Sequence, residues 1–220
     1  GDSPARGRPW LRLKVAASLD GKTALNNGVS QWITGPDARR DAHAWRARSC
    51  AVLTGIGTVK DDNPRLTVRE VPTTRQPLRV VIDSRLETPL DAAVLDGGNA
   101  LIAAAQDNPV RSAALKARGA EIVILPNSQG KVDLAGLLQE LGRRGINEVL
   151  AEAGTRLNGS LLREGCVDEL LIYQAPILIG DAARGMFGLA ELTDLAGVQR
   201  LNIIERRVVG ADLRIRARLA

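Results

Sequence analysis

Short apolar runs alternate along this chain with stretches in which apolar residues recur at helical spacing. The runs are dense enough in Val, Leu, Ile and Ala to predict buried β-strands, and they span residues 11–19, 50–55, 78–84, 100–105, 121–126, 149–152 and 168–180. Helices are predicted over residues 36–49, 110–118 and 134–145, and after Glu152 as far as Gly165. Strands that alternate with helices indicate an α/β domain with an open, mostly parallel sheet flanked by helices.

The C-terminal residues follow a different pattern, in which apolar and charged residues alternate one by one. Two strands are predicted over residues 202–220, joined across Gly210, Ala211 and Asp212. The alternating residues of the second strand are Leu213, Arg214, Ile215, Arg216, Ala217, Arg218 and Leu219. A period of two indicates an antiparallel hairpin with its arginine face in solvent.

Polar and glycine-rich residues follow the carboxyl ends of the predicted strands, at residues 18–21, 54–58, 84–85 and 152–160. Ligands bind outside these ends in open α/β sheets. In residues 154–162, GTRLNGSLL, a strand passes through glycine into a helix, where free N–H groups and the helix dipole suit a phosphate. Taken alone, an ordinary strand-to-helix turn is the better interpretation, because the spacing matches neither the dinucleotide-binding glycine fingerprint nor the P-loop.

Length and composition limit the kind of protein. A chain of 220 residues fits one sizeable domain, predicted over residues 11–220 after a polar linker or cloning remnant at residues 1–10. The net charge is +5, but the basic residues are interleaved with 25 acidic ones, and a single Tyr and a single Phe offer no stacking platform for bases. We therefore expect no nucleic-acid partner, and phosphate-bearing small molecules explain the charge better.

Cysteine and histidine usage favours neither a metal site nor a disulfide framework. Cys50 and Cys166 have no metal-ligand spacing, and His43 is the only histidine. No apolar run reaches transmembrane length, and the N-terminus has no signal-peptide core. We expect a reducing, cytoplasmic location with no membrane partner. Because the chain begins with Gly and its only methionine is Met186, we expect a piece cut from a longer polypeptide.

Five sequence motifs, taken together, indicate more than a fold class. They are KVAASLDGKTA (14–24), SQWITGPDARRDAHAWRA (30–47), LTGIGTVKDDNPRLTVR (53–69), LAEAGTRLNGSLL (150–162) and VDELLIYQAPILIG (167–180). In this order they resemble the pyrimidine reductase of riboflavin biosynthesis, the reductase half of a bifunctional deaminase/reductase. The resemblance runs from Leu11 to the C-terminus and implies a fold similar to dihydrofolate reductase. The zinc deaminase half, with its H-x-E and P-C-x-x-C ligands, is absent from this chain, so a C-terminal fragment and a free-standing reductase both fit.

The resemblance implies that NADPH reduces 5-amino-6-(5-phosphoribosylamino)uracil at C1′ to the ribitylamino product, in a homodimer. It places Ser30, Arg46 and Arg69 around the substrate phosphate, where the planar guanidinium fork suits phosphate oxygens. Taken alone, Arg46 would be a solvated helix end and Arg69 a surface residue. Leu66 would add an apolar or backbone contact.

Charged residues match the family's positions near the sugar and pyrimidine. Lys14 lies in a strand, where a core-facing ammonium needs an anion, although alternation would also allow it to face solvent. Asp62 is either a turn residue before Pro64 or the carboxylate that contacts the ribose or nicotinamide end. Glu152 is placed to accept hydrogen bonds from pyrimidine N–H groups. Asp62, Lys14 or water could supply the proton to the ring oxygen.

The same resemblance implies a set of NADPH-binding residues. They are Ala16, Trp32, Thr58, Asp62, Ser84 and the loop Gly154, Thr155, Arg156, Leu157, Asn158, Gly159 and Ser160. The loop is assigned to the pyrophosphate, and Ser84 with Arg85 to the adenosine 2′-phosphate, although the same sequence is common in turns. The sequence does not decide between NADPH and NADH.

Two rival functions remain open. A reductase of the same fold could act on a pterin or another imine, but the presence of Ser30, Arg46 and Arg69 together argues against it. A non-catalytic nucleotide-binding regulatory domain would bind the cofactor without turnover and would not need Lys14 or Asp62.

Overall fold

A computed structural model describes residues 7–220, and these residues form two compact units. The first unit contains residues 7–10 and His43–Ala151, and the second contains Leu11–Ala42 and Glu152–Ala220. Residues 1–6 of the predicted linker lie outside the described residues, and the first strand already begins at Trp10. The assignment of residues 11–220 to a single domain stays a prediction.

Strands and helices alternate through most of the chain. The strands are β1 (Trp10–Ser18), β2 (Lys22–Ala24), β3 (Ala51–Gly55), β4 (Leu78–Ile82), β5 (Ala100–Ala104), β6 (Ala120–Ile124), β7 (Glu148–Glu152), β8 (Glu169–Ala175), β9 (Arg184–Gly185), β10 (Leu201–Val209) and β11 (Asp212–Leu219). The helices are α1 (Pro36–Arg48), α2 (Ile56–Asp62), α3 (Pro109–Ala117), α4 (Leu134–Arg143) and α5 (Thr155–Arg163). Short 3-10 turns lie at Ala93–Leu95 and Leu195–Gly197.

The first unit is built on parallel strands in the order β7-β3-β4-β5-β6. Every residue of β5 is buried, as expected for a strand that is covered on both faces. Val52, Val81 and Ile102 pack with Leu115 of α3 in a core of aliphatic side chains. With so few aromatic residues in the chain, this core depends on close packing of Val, Leu, Ile and Ala.

The second unit has strands in the order β10-β11-β8-β1. β1 and β8 are parallel, whereas β11 is antiparallel to both β8 and β10. A small antiparallel ribbon of β2 and β9 completes the unit's strands. The predicted α/β class, with mostly parallel pairing, flanking helices and a C-terminal antiparallel hairpin, is therefore confirmed.

The segment after β3 forms a helix that is not among those predicted from the sequence. Its turn-forming residues suggest an irregular connection, but residues 56–62 form α2, which buries Val59. The turn signal is the end of this helix: Asn63 is left-handed at φ 45°, and its N–H donates to the Val59 carbonyl. A helix of seven residues is too short to show the periodicity that predicts longer ones.

The arginine face of the C-terminal hairpin is not solvated throughout, contrary to the prediction. Arg214 is only 5% exposed, because its guanidinium pairs with Asp41 of α1 at 2.8 Å and with Glu205 of β10 at 2.6 Å. Arg216 pairs with the same Glu205 at 3.7 Å and with Glu169 of β8 at 2.7 Å. Arg218, on the same face, is exposed. Alternation identified the two faces but could not reveal that carboxylates cover the part of the arginine face around Arg214 and Arg216.

The same charged network continues into β8 and β1. Glu169 is fully buried and also accepts a hydrogen bond from Arg12 of β1, which is itself buried. At the other end of the network, the Tyr173 hydroxyl donates to Asp41 at 2.5 Å. Burial, together with this hydrogen bond, raises the pKa of the Tyr173 hydroxyl above its ordinary value. Charges that would be costly alone are thus paired across four strands and a helix.

Within residues 7–220, no helix combines the length and apolar character needed to cross a membrane. In the same part of the chain, His, Cys, Asp and Glu side chains do not gather in any group of three or more that could hold a metal ion.

Candidate functional site

Lys14 and Glu152 form an ion pair in the second unit. The Lys14 ammonium on β1 lies 3.6 Å from a carboxylate oxygen of Glu152, and the two side chains are 19% and 11% exposed. Of the two orientations that the sequence allowed for Lys14, the structure therefore has the paired one. Ala16 lies two residues further along β1, on the same side of the strand as Lys14. A partly buried pair of this kind can offer a donor and an acceptor to a polar ligand.

The start of α5 is open to an anion. Gly154 precedes the helix in extended conformation, and no side chain caps the first turn. Gly154 and Arg156 are exposed, and within residues 7–220 the Arg156 guanidinium has neither a hydrogen-bond nor an ion-pair partner. Uncapped N–H groups, the helix dipole and a guanidinium together suit a phosphate. These residues fit the pyrophosphate of a dinucleotide.

Residues 184–188 cover one side of α5 and fix its first turns. The Thr155 hydroxyl donates to the Gly185 carbonyl at 2.5 Å, and the Asn158 amide donates to the Met186 carbonyl at 3.0 Å. The Gly188 N–H donates to the Thr155 carbonyl at 2.9 Å. A Cβ added at Gly159 would overlap the Gly188 carbonyl group. Asn158 and Gly159 are thus buried against the protein itself, so the open part of the predicted cofactor loop is its beginning.

The rest of that loop is less open. Leu157 and Ser160 are half-buried, and the Ser160 hydroxyl donates to the Arg156 carbonyl at 3.2 Å within the helix. Side-chain contact to a ligand from this loop therefore falls mainly to Arg156.

Trp32 presents an aromatic face in the second unit. Its side chain is 67% exposed, and the Arg39 guanidinium carbon lies 4.5 Å from its ring centroid. Arg39 is held in turn by donation to the Thr34 carbonyl at 2.7 Å. One face of the indole is thus covered by a cation–π contact. Ser30, two residues earlier, is half-buried.

Arg46 and Arg69 converge in the first unit. The Arg46 guanidinium donates to the Thr67 carbonyl at 3.0 Å, and the Arg69 guanidinium reaches the same oxygen at 3.4 Å. Arg69 also donates to the Thr67 hydroxyl at 2.9 Å. Two guanidinium groups that share one acceptor repel each other, and an anion beside them relieves that repulsion. The structure thus brings together the two arginines that were predicted to bind phosphate.

The remaining predicted residues of the first unit differ in what they can offer a ligand. Thr58 lies within α2 and is half-buried, and Asp62, the last residue of α2, is exposed. Leu66 is left-handed at φ 58° and 2% exposed, and its side chain packs in the hydrophobic core of the unit. Ser84 is half-buried in the turn after β4.

The turn that carries Ser84 depends on Asp83, which the sequence did not single out. Asp83 is fully buried. It accepts hydrogen bonds from the Glu87 N–H, the Thr88 N–H and the Thr88 hydroxyl at 2.6–2.8 Å. A short side chain that bonds to the backbone a few residues on is the usual way in which Asp fixes a turn. The hydrogen bonds of Asp83 therefore hold Ser84 in a fixed place in the turn.

A second carboxylate holds the chain beyond β1. Asp20 accepts a hydrogen bond from the Ser18 hydroxyl at 2.5 Å and from the N–H groups of Ile179 and Gly180 at 3.1 and 2.8 Å. These bonds, led by the one from Ser18, lower the pKa of Asp20 from 3.8 to about 2. The carboxylate thereby ties the end of β1 to the segment that leads from β8 to residues 184–188.

A sequence profile described as the RibD C-terminal domain matches residues 9–214. The chain belongs to this family. It is 40% identical over 220 residues to the riboflavin biosynthesis protein RibD of Escherichia coli (strain K12), a match that covers 94% of this chain and 59% of that protein. The chain therefore spans about three fifths of that relative's length. The resemblance indicated by the sequence motifs is confirmed.

Solved structures agree with the family. Acinetobacter baumannii RibD is 36% identical, with a TM-score of 0.88 over 98% of this chain and 59% of that one. A Thermotoga maritima protein is 25% identical, with a TM-score of 0.81 over 98% of this chain and 58% of that one. It is described as a diaminohydroxyphosphoribosylaminopyrimidine deaminase/5-amino-6-(5-phosphoribosylamino)uracil reductase. Both neighbours support the RibD reductase-like fold of this chain.

Proposed function

We propose that this chain is a pyrimidine reductase of riboflavin biosynthesis, which uses NADPH to reduce 5-amino-6-(5-phosphoribosylamino)uracil to 5-amino-6-(5-phosphoribitylamino)uracil. The observation that carries the proposal is the convergence of Arg46 and Arg69 on the Thr67 carbonyl, in a RibD C-terminal domain. A pair of guanidinium groups held this way is suited to the 5′-phosphate that distinguishes this substrate. Ser30, in the second unit, is proposed as a further substrate-binding residue.

A dinucleotide would be held by main-chain and side-chain groups that the structure shows to be open. The uncapped first turn of α5 and the Arg156 guanidinium would bind the pyrophosphate. Trp32 would offer its exposed ring, and Ala16 would leave room for a nicotinamide beside β1. Thr58, Asp62 and Ser84 are proposed as further contacts. When bound, NADPH supplies the hydride, so the protein's contribution is position and electrostatics.

The Lys14–Glu152 pair has a proposed role in orienting the substrate. Glu152 would accept hydrogen bonds from the pyrimidine N–H groups, and Lys14 would hold that carboxylate in place and donate towards the sugar. A proton must reach the sugar ring oxygen as the ring opens. Lys14, Asp62 and a water molecule are the candidate donors.

The assembly and its setting are proposals of the same kind. β10 lies at the edge of its sheet and exposes apolar side chains, namely Leu201, Ile203, Ile204 and Val208. An exposed apolar edge strand can pair with another copy of itself, so we propose that the protein is a homodimer. We also propose a deaminase partner domain, because the RibD relatives are longer than this chain, and a cytoplasmic location.

The proposed function is tested by following NADPH oxidation with the phosphorylated ribosylaminopyrimidine as substrate. NADH and the dephosphorylated substrate serve as comparisons. Turnover that requires the phosphate and prefers NADPH would support the reductase and its phosphate contacts together. NADPH binding without turnover would instead favour a reductase of another imine or pterin, or a non-catalytic NADP-binding domain.

A further inference from the structure

Arg69 lies in an irregular segment, residues 67–69, that belongs to no helix or strand. An arginine on an irregular segment can recognise an anion well only if its main chain is fixed, because ordering it on binding would cost conformational entropy. The Arg69 side chain is exposed, so its own packing does not fix it, whereas its neighbour Val68 is buried. Besides the burial of Val68, the hydrogen bonds to the segment determine where the Arg69 main chain lies.

The segment is held residue by residue. The Arg46 guanidinium donates to the Thr67 carbonyl at 3.0 Å. The Gln76 side-chain amide makes two bonds to Val68: its oxygen accepts from the Val68 N–H at 2.8 Å, and its nitrogen donates to the Val68 carbonyl at 3.0 Å. These contacts resemble a one-residue piece of β-ladder made by a side chain.

The last of these contacts comes from the only histidine of the chain. The Nδ1 atom of His43 accepts a hydrogen bond from the Arg69 main-chain N–H at 3.1 Å, and His43 is 6% exposed. An accepting Nδ1 requires the lone pair there, so a neutral ring carries its proton on Nε2. His43 and Arg46 are three residues apart on α1 and share a face of the helix. That face thus supplies one arginine directly and holds the main chain of the other.

We propose that His43 is a positioning residue for phosphate recognition, acting through the main chain of Arg69, with Gln76 assisting at Val68. This inference rests on the proposed function, in which Arg69 binds the substrate phosphate. Fixing the Arg69 main chain before the substrate arrives keeps its guanidinium near that of Arg46. The role is one of pre-organisation, and His43 itself touches no substrate.

The test compares His43→Leu with His43→Asn. The Asn side-chain oxygen can replace Nδ1 as an acceptor, whereas Leu cannot. His43→Leu is expected to raise KM for the phosphorylated substrate about tenfold, the effect of one lost hydrogen bond of about 1.4 kcal/mol. The KM for NADPH, and kcat/KM for the dephosphorylated substrate, are expected to stay within about twofold of wild type on the same reasoning. His43→Asn should recover most of the loss.

Two further variants guard against a merely structural effect. Gln76→Leu changes an exposed side chain and should shift KM in the same direction even if His43→Leu folds poorly. Arg75→Ala removes a bond from the same loop to the Ser49 carbonyl, at 3.1 Å, and should leave the ratio of the two substrates' KM values unchanged.

The outcomes separate this inference from the function on which it rests. If Arg69→Ala shifts KM for the phosphorylated substrate but neither His43→Leu nor Gln76→Leu does, the positioning role is wrong and the phosphate contact stands. Equal losses on both substrates, or no recovery by His43→Asn, would also overturn it. If Arg69→Ala itself leaves the ratio of KM values unchanged, the phosphate assignment in the proposed function fails instead.

Discussion

In the first unit the groups suited to a phosphate are side chains, whereas in the second unit they are mainly main-chain N–H groups. Arg46 and Arg69 reach one carbonyl from a helix and from an irregular segment. The start of α5 instead offers an uncapped turn whose geometry is set by close packing of Gly159 against residues 184–188. A side-chain arrangement can be altered without disturbing the fold. A main-chain arrangement can be altered only by moving the backbone.

The largest effect is expected from Gly159→Ala, which would displace the main chain at the start of α5. Alanine in a helix is ordinarily about 1 kcal/mol better than glycine. Here the added Cβ would overlap the Gly188 carbonyl group, so the change should instead cost about 2 kcal/mol of unfolding free energy. Relieving the overlap would displace the first turn of α5 and its N–H groups, so NADPH binding should weaken about tenfold, which corresponds to about 1.4 kcal/mol. Urea unfolding and NADPH titration measure the two effects.

Gly185→Ala is the matched control, because nothing lies within 4 Å of a Cβ added there. It changes a glycine of the same covering segment without an overlap, so both measurements should stay near wild type. If Gly159→Ala proved stabilising with normal NADPH binding, the packing account of the α5 turn would have to be abandoned.

Arg69→Ala tests the side-chain arrangement and is expected to have the next largest effect. Removing a charged donor should raise KM for the phosphorylated substrate about 10- to 100-fold. Stability and NADPH affinity should change little, since Arg69 is exposed. Steady-state kinetics with each substrate varied in turn gives the answer. Equal weakening of substrate and NADPH would contradict the phosphate assignment.

Arg156→Ala should have a smaller effect, although it also deletes an exposed arginine. The main-chain donors of α5 remain in place, so NADPH affinity should fall only about threefold, in the range of a solvent-exposed charge pair. Isothermal titration at low and moderate salt measures it, and the difference from wild type should shrink as salt screens the charge. If NADPH affinity fell as far as substrate affinity does in Arg69→Ala, phosphate binding in the second unit would also depend mainly on a side chain, contrary to the comparison above.

Asp20→Asn is expected to have the smallest effect at neutral pH. The pKa of Asp20 is lowered from 3.8 to about 2, so the ionised carboxylate stabilises the fold above pH 3.8, and that contribution is lost as pH falls through about 2. The variant should unfold slightly more easily at neutral pH. Its stability should also depend less on pH across this acid range. Thermal unfolding at a series of pH values checks both, and an unchanged acid slope would show that Asp20 does not anchor its loop.

Much of the fold follows from local pattern. Apolar runs predicted the parallel strands because most of these are buried, although β6, at the edge of the strand order, exposes Glu121 and Ile124. Alternation predicted the C-terminal hairpin. α2 was missed because its turn residues, ending at Asn63, mark the end of a short helix. The burial of Arg214 was missed because Asp41, one of its partners, lies far away in sequence. Local pattern does not encode such long-range pairing.

The candidate site, like the fold, was predicted from the sequence only in part. Residue type and motif pointed to Arg46, Arg69, Lys14 and Glu152, and the structure brings each of these pairs together. The covering of α5 by residues 184–188 could not be predicted, because most of its contacts are to main-chain carbonyls that any residue possesses. His43 could have been noticed, since it lies three residues before Arg46 on a predicted helix.

The charged network of the second unit has a consequence for how the hairpin finds its alignment. In the observed register Arg216 lies opposite Glu205 on one side and Leu171 on the other, with its guanidinium on Glu169. Sliding β11 by a single residue would turn every arginine to the opposite face and leave buried Glu169 facing aliphatic side chains. Misaligned pairings of β11 are therefore penalised electrostatically as well as sterically. The network therefore favours the observed register of β11 over its neighbours.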